Sequence, residues 1–160
     1  MNNLTIALDK KTEMFVKHLK SDDVVFSKKI TYSDFLNNKL LIIRAINKGI
    51  PFDLFKVIVE QSPFTLKDWA DLLSISLKSL QRYEQGKKRF KPLQSEKIIE
   101  LAEVIKLGLD VFNDMDKFKY WLETENYSLG SIKPINLLKN SYGKEMVIAE
   151  LTRIEHGIFA

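Results

Sequence analysis

Five polar side chains between residues 76 and 82 have the chemistry to contact nucleic acid. They combine two hydroxyls, an amide and two cations within about two turns of a helix: Ser76, Lys78, Ser79, Gln81 and Arg82. Such groups bond to phosphate oxygens and to base edges in a DNA major groove. The same pattern also fits an ordinary helical hairpin whose polar face is only solvated.

The stretch from Phe64 to Tyr83 must position those groups, and its apolar spacing predicts two short helices joined by a tight turn. Apolar residues recur at intervals of three to five, as a helical period requires. With Ala70 at the point where the helices cross, the inner faces and the turn are formed by Trp69, Leu73, Ile75, Leu80 and Tyr83. This arrangement is a helix-turn-helix, and its two inward tryptophan and tyrosine rings are expected to pack in the core.

The ends of these two helices carry local signals of their own. Thr65 and Asp68 have the spacing of a capping box, and Ser76 can cap the second helix. The turn position that often holds glycine is Ser74, which predicts a serine with positive φ.

A basic loop follows the second helix, where Gly86 is expected to end it. The loop carries four cations: Lys87, Lys88, Arg89 and Lys91. Residues 65–91 hold seven cations and three acids, a net +4 that equals the net charge of the whole chain, so the other residues sum to zero. The positive field therefore belongs to this motif and suits phosphate binding, although a solvated charge run is the alternative.

Composition favours an all-α protein. The 160 residues are 45% apolar with few prolines and glycines, and alternating strand patterns are scarce. There is no cysteine, which excludes disulfides and thiolate metal sites. No apolar run approaches the roughly 20 residues of a membrane span, so a cytoplasmic protein without membrane contact is expected. No catalytic pair, metal site or phosphate loop is evident, and we expect neither a catalytic residue nor a cofactor.

Three regions are predicted along the chain. Residues 1–30 are expected to form a loosely ordered arm with one helix at most, residues 31–112 a helix-turn-helix and dimerisation domain, and residues 113–160 a small α-helical domain. One helix is predicted from Ser33 to Lys48, stopped by Gly49. Its inner face would be Phe35, Leu36, Leu40, Ile43 and Ile46.

A second core helix is predicted from Pro51 to before Pro63, and a long helix from Pro92 to Phe112 would join the two halves. Beyond it, Phe118, Trp121 and Leu122 would line a helix, and another would run from Lys144 to His156 through Met146 and Val147. Residues 113–160 carry six cations and seven acids, which does not favour a phosphate backbone.

Four segments in succession resemble the Xre/MbcA/ParS-type antitoxins of bacterial RES-domain toxin systems. They are FTLKDWADLLSISLKSLQRY, QSEKIIELAEV with the following VF, WLETENYSLGSIKPINLL, and YGKEMVIAELTRIEHGIF. The resemblance covers roughly residues 48–160. The sequence departs from the family pattern at Ser131, where a second glycine is usual, and at Lys133 with Ile135.

The resemblance implies a homodimer with two partners. One is operator DNA of its own operon, and the other is a RES-domain toxin that degrades NAD. The family's inhibitory segment would close the toxin's NAD pocket, and it corresponds here to Arg153, Ile154, Glu155, His156, Gly157, Ile158 and Phe159. An arginine can fork onto an acidic group or take the place of a phosphate-bearing ligand. The bland alternative is that Ile154 and Phe159 complete a local core.

Two other functions remain open at this level. One is a free-standing transcription regulator whose C-terminal half senses a small molecule. The other is a pure inhibitor whose helix-turn-helix no longer binds DNA.

Overall fold

The computed structural model describes residues 3–19 and 29–157, which fold into ten α-helices and one 3-10 turn. The first six helices are α1 Asn3–Lys17, α2 Tyr32–Leu36, α3 Lys39–Lys48, α4 Phe52–Glu60, α5 Leu66–Leu72 and α6 Leu77–Gln85. The others are α7 Pro92–Phe112, α8 Met115–Glu123, the 3-10 turn Tyr127–Leu129, α9 Pro134–Leu137 and α10 Ser141–Glu155. Within those two ranges there is no strand beyond two isolated bridges, and the all-α prediction is confirmed.

The long helix α7 is the element on which both halves are built. It begins at Pro92, as predicted, and Asn113 ends it in the left-handed region at φ 50°. Helix α3 of the N-terminal half and helix α10 of the C-terminal half both pack against α7. Its buried stripe includes Ile98, Leu101 and Val104, so one continuous core runs through the described residues.

An aromatic cluster holds the helix-turn-helix to the preceding helices. The ring of Phe55 makes edge contacts with Trp69 and Phe90, with centroids 5.1 and 4.9 Å apart. Tyr83 stacks on Phe90 at 4.4 Å. Trp69 is fully buried, and its Nε1 donates a hydrogen bond to Ser62 Oγ at 2.9 Å. The prediction that Trp69 belongs to the core is confirmed.

The expectation of a loosely ordered N-terminal arm is wrong for residues 3–17. They form helix α1, which packs against α4 and buries Leu8, Phe15 and Val16. In the sequence, the apolar stripe of α1 is interrupted by Thr12, which occupies one inward position. Thr12 is fully buried since its hydroxyl donates to the carbonyl of Leu8 at 2.8 Å, inside its own helix. Residues 20–28 of the expected arm lie outside the described part of the chain.

The single helix predicted from Ser33 to Lys48 is two helices, α2 and α3. Thr31, not Ser33, caps α2 through a capping box with Asp34, and Asn38 caps α3 by accepting from the N–H of Leu41. The break between the helices changes which residues face inward. Leu40 and Ile43 are therefore 71% and 53% exposed, contrary to the predicted inner face.

Two glycines let the C-terminal helices approach one another closely. The ring of Phe118 lies directly over Gly108, and the carbonyl of Leu137 lies against Gly143, so a Cβ at either glycine would overlap these atoms. Helix α10 begins at Ser141, earlier than predicted, capped by Asn140. Met146 is 45% exposed on this helix, so its predicted place in the buried stripe is wrong.

The loop between α8 and α9 is built from two consecutive left-handed residues. Gly130 has φ 75° and Ser131 has φ 60°. The N–H of Ser131 donates to the carbonyl of Asn126 at 2.9 Å, and the N–H of Asn126 donates to that of Ile132 at 3.2 Å. Ser131 therefore takes a conformation that favours glycine.

Candidate functional site

The two short helices α5 and α6 meet at a Schellman turn, and both predicted helix caps are present. Thr65 and Asp68 form the capping box of α5, and the side chain of Ser76 accepts from the N–H of Ser79 to cap α6. The N–H of Ile75 donates to the carbonyl of Ala70 at 3.0 Å, and that of Ser74 to Asp71 at 3.1 Å. Ser74 has φ 55°, which confirms the expected positive φ.

Helix α6 presents a polar face to solvent. Lys78, Gln81 and Arg82 are exposed, while Leu80 is the residue that seats the helix on the core. Neither Lys78 nor Arg82 forms an ion pair within residues 3–19 and 29–157. Both charges therefore remain free to meet a phosphate or a base edge.

The two hydroxyls of the predicted DNA-contacting set are already engaged. Ser76 Oγ lies 2.9 Å from Ser79 Oγ and 3.0 Å from the N–H of Ser79. Ser76 therefore serves α6 as its cap, and Ser79 is partly buried beside it. These serines position the start of the helix, at which backbone N–H groups face outward.

The basic loop after α6 is anchored to the start of α4. The N–H of Phe52 donates to the carbonyl of Lys88 at 3.2 Å, and the N–H of Phe90 donates to that of Ile50 at 2.8 Å. Lys87 adopts a positive φ of 46°. The side chains of Lys87, Lys88 and Lys91 are exposed, so three of the four predicted cations extend into solvent from a braced loop.

Arg89 is turned back onto the fold. Its Nη1 donates to the carbonyl of Gly49 at 3.1 Å, and its Cζ lies 5.6 Å above the ring of Phe15 in α1. This position combines a charge-assisted hydrogen bond with a cation–π contact. Arg89 therefore ties the loop to α1 and is less available to a phosphate than the three lysines beside it.

The structure describes residues 153–157 of the segment that was predicted to bind the toxin. Arg153 Nη1 donates to Glu150 Oε2 at 3.0 Å, one turn earlier on α10, and Glu150 is nearly buried. Ile154 is partly exposed. Glu155, the last residue of α10, is exposed, and so are His156 and Gly157, which follow the helix. Ile158 and Phe159 lie outside the described residues.

The C-terminal half also has an aromatic groove, formed by the end of α7, by α8 and by the residues that follow α8, which sequence reasoning missed. It has a volume of about 530 Å³ and is lined by Phe112, Asp116, Lys117, Tyr120, Trp121, Thr124, Glu125 and Asn126. Tyr120 is 72% exposed, and nearby in sequence Tyr127 is 92% exposed. Tyrosine and tryptophan are enriched at the centres of protein interfaces. The signal in the sequence was the adjacent Tyr120–Trp121 pair, whose side chains leave a helix in different directions.

In the part of the chain that the structure describes, no group of three His, Asp or Glu side chains lies close enough together to hold a metal ion. The helices within the same residues include none with the length and apolar character to cross a membrane.

Two adjacent segments match known protein families. Residues 41–103 match the antitoxin Xre-like helix-turn-helix domain, and residues 107–157 match the antitoxin Xre/MbcA/ParS C-terminal toxin-binding domain. The boundary between the two matches falls within α7. Helices α1 and α2 precede both matched segments.

Similar proteins include two curated antitoxins and a chain of a solved structure. An antitoxin Xre of Photorhabdus laumondii is 31% identical over 114 residues, which are 71% of this chain and 77% of that protein. An antitoxin Xre of Yersinia enterocolitica is 27% identical over 121 residues, or 75% and 82% of the two chains. A chain from the crystal structure of the M. tuberculosis MbcT-MbcA toxin-antitoxin complex shares the fold, with a TM-score of 0.56 at 24% identity over 66% of this chain and 94% of that one.

Proposed function

Because this chain belongs to the Xre/MbcA/ParS family of antitoxins, we propose that it uses two separate surfaces to restrain a toxin and to repress its own operon. It is an antitoxin of a toxin-antitoxin system with a helix-turn-helix domain. The finer assignment is that its toxin is a RES-domain enzyme that degrades NAD. The observation that carries the proposal is the succession of the two domains, with unpaired cations on the first and exposed aromatic side chains on the second.

The DNA-binding surface consists of α6 and the basic loop. Lys78, Gln81 and Arg82 would enter the major groove, and the lysines of the loop would bind flanking phosphates. Each phosphate contact releases counterions, so operator affinity should fall steeply as salt is raised. A pure inhibitor that has lost DNA binding would show no such operator complex at low salt.

A homodimer would place two α6 helices in successive major grooves, about 34 Å apart. We assign the contact between the two copies to α3, where Leu40 and Ile43 expose apolar surface on one face. Replacing Ile43 with glutamate should shift the protein to a monomer in analytical ultracentrifugation. A matched Asn47→Glu change on the same helix, at an exposed polar position, should leave the dimer intact.

The toxin-binding surface consists of the end of α10 and the segment after it. Glu150 orients the guanidinium of Arg153, whose remaining N–H groups can bind a carboxylate or replace a phosphate of the nucleotide. Ile154 together with Ile158 and Phe159 would enter the toxin's NAD pocket, so that the toxin is inhibited by occlusion. The exposed rings of Tyr120 and Tyr127 would add anchoring contacts outside that pocket.

The decisive experiment is co-expression with the adjacent open reading frame, followed by purification through a tag on this chain and a test of whether that frame encodes a RES-domain toxin. We expect a tight complex, and a fall of cellular NAD only when this chain is absent. A chain that purifies alone, beside a neighbour that leaves NAD unchanged, would contradict the RES assignment and favour a free-standing regulator.

Two variants test whether operator binding and toxin inhibition use separate surfaces. Arg82→Ala should weaken operator binding and leave the toxin complex intact. A chain ending at Gly157 should retain operator binding and lose NAD protection, because it removes Ile158 and Phe159 and leaves residues 3–19 and 29–157 in place. A chain ending after Glu150 is less suitable because Leu151 is fully buried. Damage to both activities by both changes would show that the surfaces are not separate.

A further inference from the structure

A second cavity lies where α1, α2, α4 and α7 meet, remote in sequence from both proposed binding surfaces. It has a volume of about 370 Å³, at the small end of the range for ligand pockets. Its lining residues are Thr5, Leu8, Asp9, Thr31, Tyr32, Ser33, Ile58, Gln61, Ile105, Lys106, Leu109 and Asp110. Most of the exposed surface of the wall is apolar, and its aliphatic part comes from Leu8, Ile58, Ile105 and Leu109.

A negative charge without a cationic partner lies on this wall. The Oδ1 atom of Asp9 accepts a hydrogen bond from the N–H of Tyr32 at 2.8 Å. No Lys, Arg or His within residues 3–19 and 29–157 forms an ion pair with Asp9, whereas Asp110, the other acid of the cavity, is paired with Lys106 at 2.7 Å. A partly buried carboxylate beside hydrocarbon favours a cationic neighbour. The cavity therefore has charge complementarity to a ligand with one positive group.

Two further polar groups of different character line the cavity. The Nε2 atom of Gln61 is a donor that is buried without a hydrogen-bond acceptor among the described residues, so it suits an acceptor on the body of the ligand, such as the face of an aromatic ring, and not the ammonium group. Tyr32 remains a neutral phenol, because burial and then the charge of Glu103 raise the pKa of Tyr32 above its usual range. The cavity therefore combines hydrogen-bonding groups, namely an amide, a phenol and a carboxylate, with apolar surface.

We propose that this cavity binds a small organic amine whose ammonium group pairs with Asp9 and whose hydrocarbon body lies against Leu8, Ile58 and Ile105. Two of its walls, α1 and α2, lie outside residues 41–103 and 107–157, so the cavity is not contained in either matched domain. A third wall is the C-terminal end of α7, the helix that joins the two halves. A bound amine would hold α1 and α2 against that helix.

The test uses the full chain and 2-phenylethylamine as the probe, with 2-phenylethanol as an uncharged analogue of similar shape. Binding is followed by isothermal titration and by backbone amide shifts at about pH 7, where the amine is charged. We expect saturable binding of the amine at millimolar concentration or below, with shifts confined to the cavity walls. The amine should bind about tenfold to a hundredfold more tightly than the alcohol, the factor expected for one charge-assisted hydrogen bond.

Two variants and a control locate the site. Asp9→Asn keeps an acceptor for the N–H of Tyr32 and should abolish the preference for the amine. Thr5→Trp, at an exposed position of the lining, should exclude both probes without disturbing the core. Asp53→Asn removes an acid that lies in α4 and pairs with Lys11 instead, and should change nothing.

Three results would overturn the proposal. They are equal affinity for the amine and the alcohol, unchanged amine binding by Asp9→Asn, and no saturable binding up to about 10 mM, which is weaker than a specific site of this size should give. None of these results bears on toxin or operator binding, so the amine site and the proposed antitoxin function are tested separately.

Discussion

The helix-turn-helix and the C-terminal half meet their partners with different kinds of surface, although both pack against the same helix. On the first, Lys78, Arg82 and the loop lysines form no ion pair with any acid of the described residues. On the second, Lys144 pairs with Glu103 at 2.6 Å and Arg153 with Glu150 at 3.0 Å, while Tyr120 and Tyr127 are exposed. Free cations attract a polyanion over a distance, whereas exposed rings bind by burial and shape.

The surroundings of α5 and α6 and those of α10 also differ in how closely the backbones of neighbouring elements approach one another. Around α5 and α6, large rings such as Phe55, Trp69 and Phe90 fill the space between helices. Around α10, the fit depends on Gly143, where the backbone of α9 lies against the helix. Gly143 should therefore be less tolerant of added volume than a glycine at the end of α6, such as Gly86.

The largest effect is expected from Gly143→Ala. Its new Cβ would overlap the carbonyl of Leu137, which is backbone and cannot rotate away, so the free energy of unfolding should fall by about 3 kcal/mol. Chemical denaturation would measure this loss. The matched Gly86→Ala change, in the helix-turn-helix half, meets only the flexible side chain of Lys88 and the Arg82 carbonyl at ordinary φ, and should stay within about 0.5 kcal/mol. An equal loss of unfolding free energy in Gly143→Ala and Gly86→Ala would show that the two positions tolerate a methyl group equally well.

A pH-dependent effect should separate the buried tyrosine of the first domain from the exposed ones of the second. The pKa of Tyr32 is raised by burial, so an unfolded chain loses this proton first as pH rises above about 10. The free energy of unfolding should then fall, at most by about 1.4 kcal/mol per pH unit for one proton. Denaturation at about pH 9 and about pH 11 would show a shallower fall in Tyr32→Phe. Tyr127→Phe should follow the wild type, and a Tyr32→Phe slope equal to that of the wild type would argue against the buried phenol.

Arg89 and Arg82 should contribute to different properties although both lie in the cationic segment. Arg89→Ala removes the bond to Gly49 and the contact with Phe15, and should lower the free energy of unfolding by about 1 kcal/mol. Arg82→Ala should leave stability within about 0.5 kcal/mol and reduce the salt slope of operator binding by about 1. Thermal unfolding and binding titrations at several salt concentrations would measure the two effects. The reverse pattern would mean that Arg89 leaves α1 to bind DNA.

The smallest effect is expected at the pair that joins α10 to α7. Lys144→Met keeps the hydrocarbon stem and removes the bond to Glu103, so the free energy of unfolding should fall by about 0.5 to 1 kcal/mol. Lys78→Met, which breaks no ion pair, serves as the control in the helix-turn-helix half. If both changes were neutral, the contrast between paired and free charges would have no energetic consequence for folding.

Local signals in the sequence were sufficient for the helix-turn-helix. The capping box at Thr65, the cap at Ser76 and the left-handed Ser74 were all predicted and are present in the structure. Each depends on residues three to five positions apart, so the chain carries the information in one short stretch. The same is true of the start of α7 at Pro92.

Interactions between distant segments could not be predicted in this way. Thr12 satisfies its hydroxyl inside α1 and so interrupts an apolar stripe that nevertheless packs in the core. The break at Asn38 turns Leu40 and Ile43 outward. Arg89 has the same charge as its neighbours, and its contacts with Gly49 and Phe15 distinguish its role from theirs.

The sequence by itself determined the all-α class, the helix-turn-helix with its caps, the location of the positive charge and the family. The tertiary structure decided which cations stay free, which aromatic rings reach solvent, and that Asp9, Tyr32 and Gln61 surround one cavity. The physical reason is the range of the interactions. Helical periodicity and capping act within one or two turns, whereas the pairing of charges and the shape of a cavity depend on how helices far apart in the chain pack together.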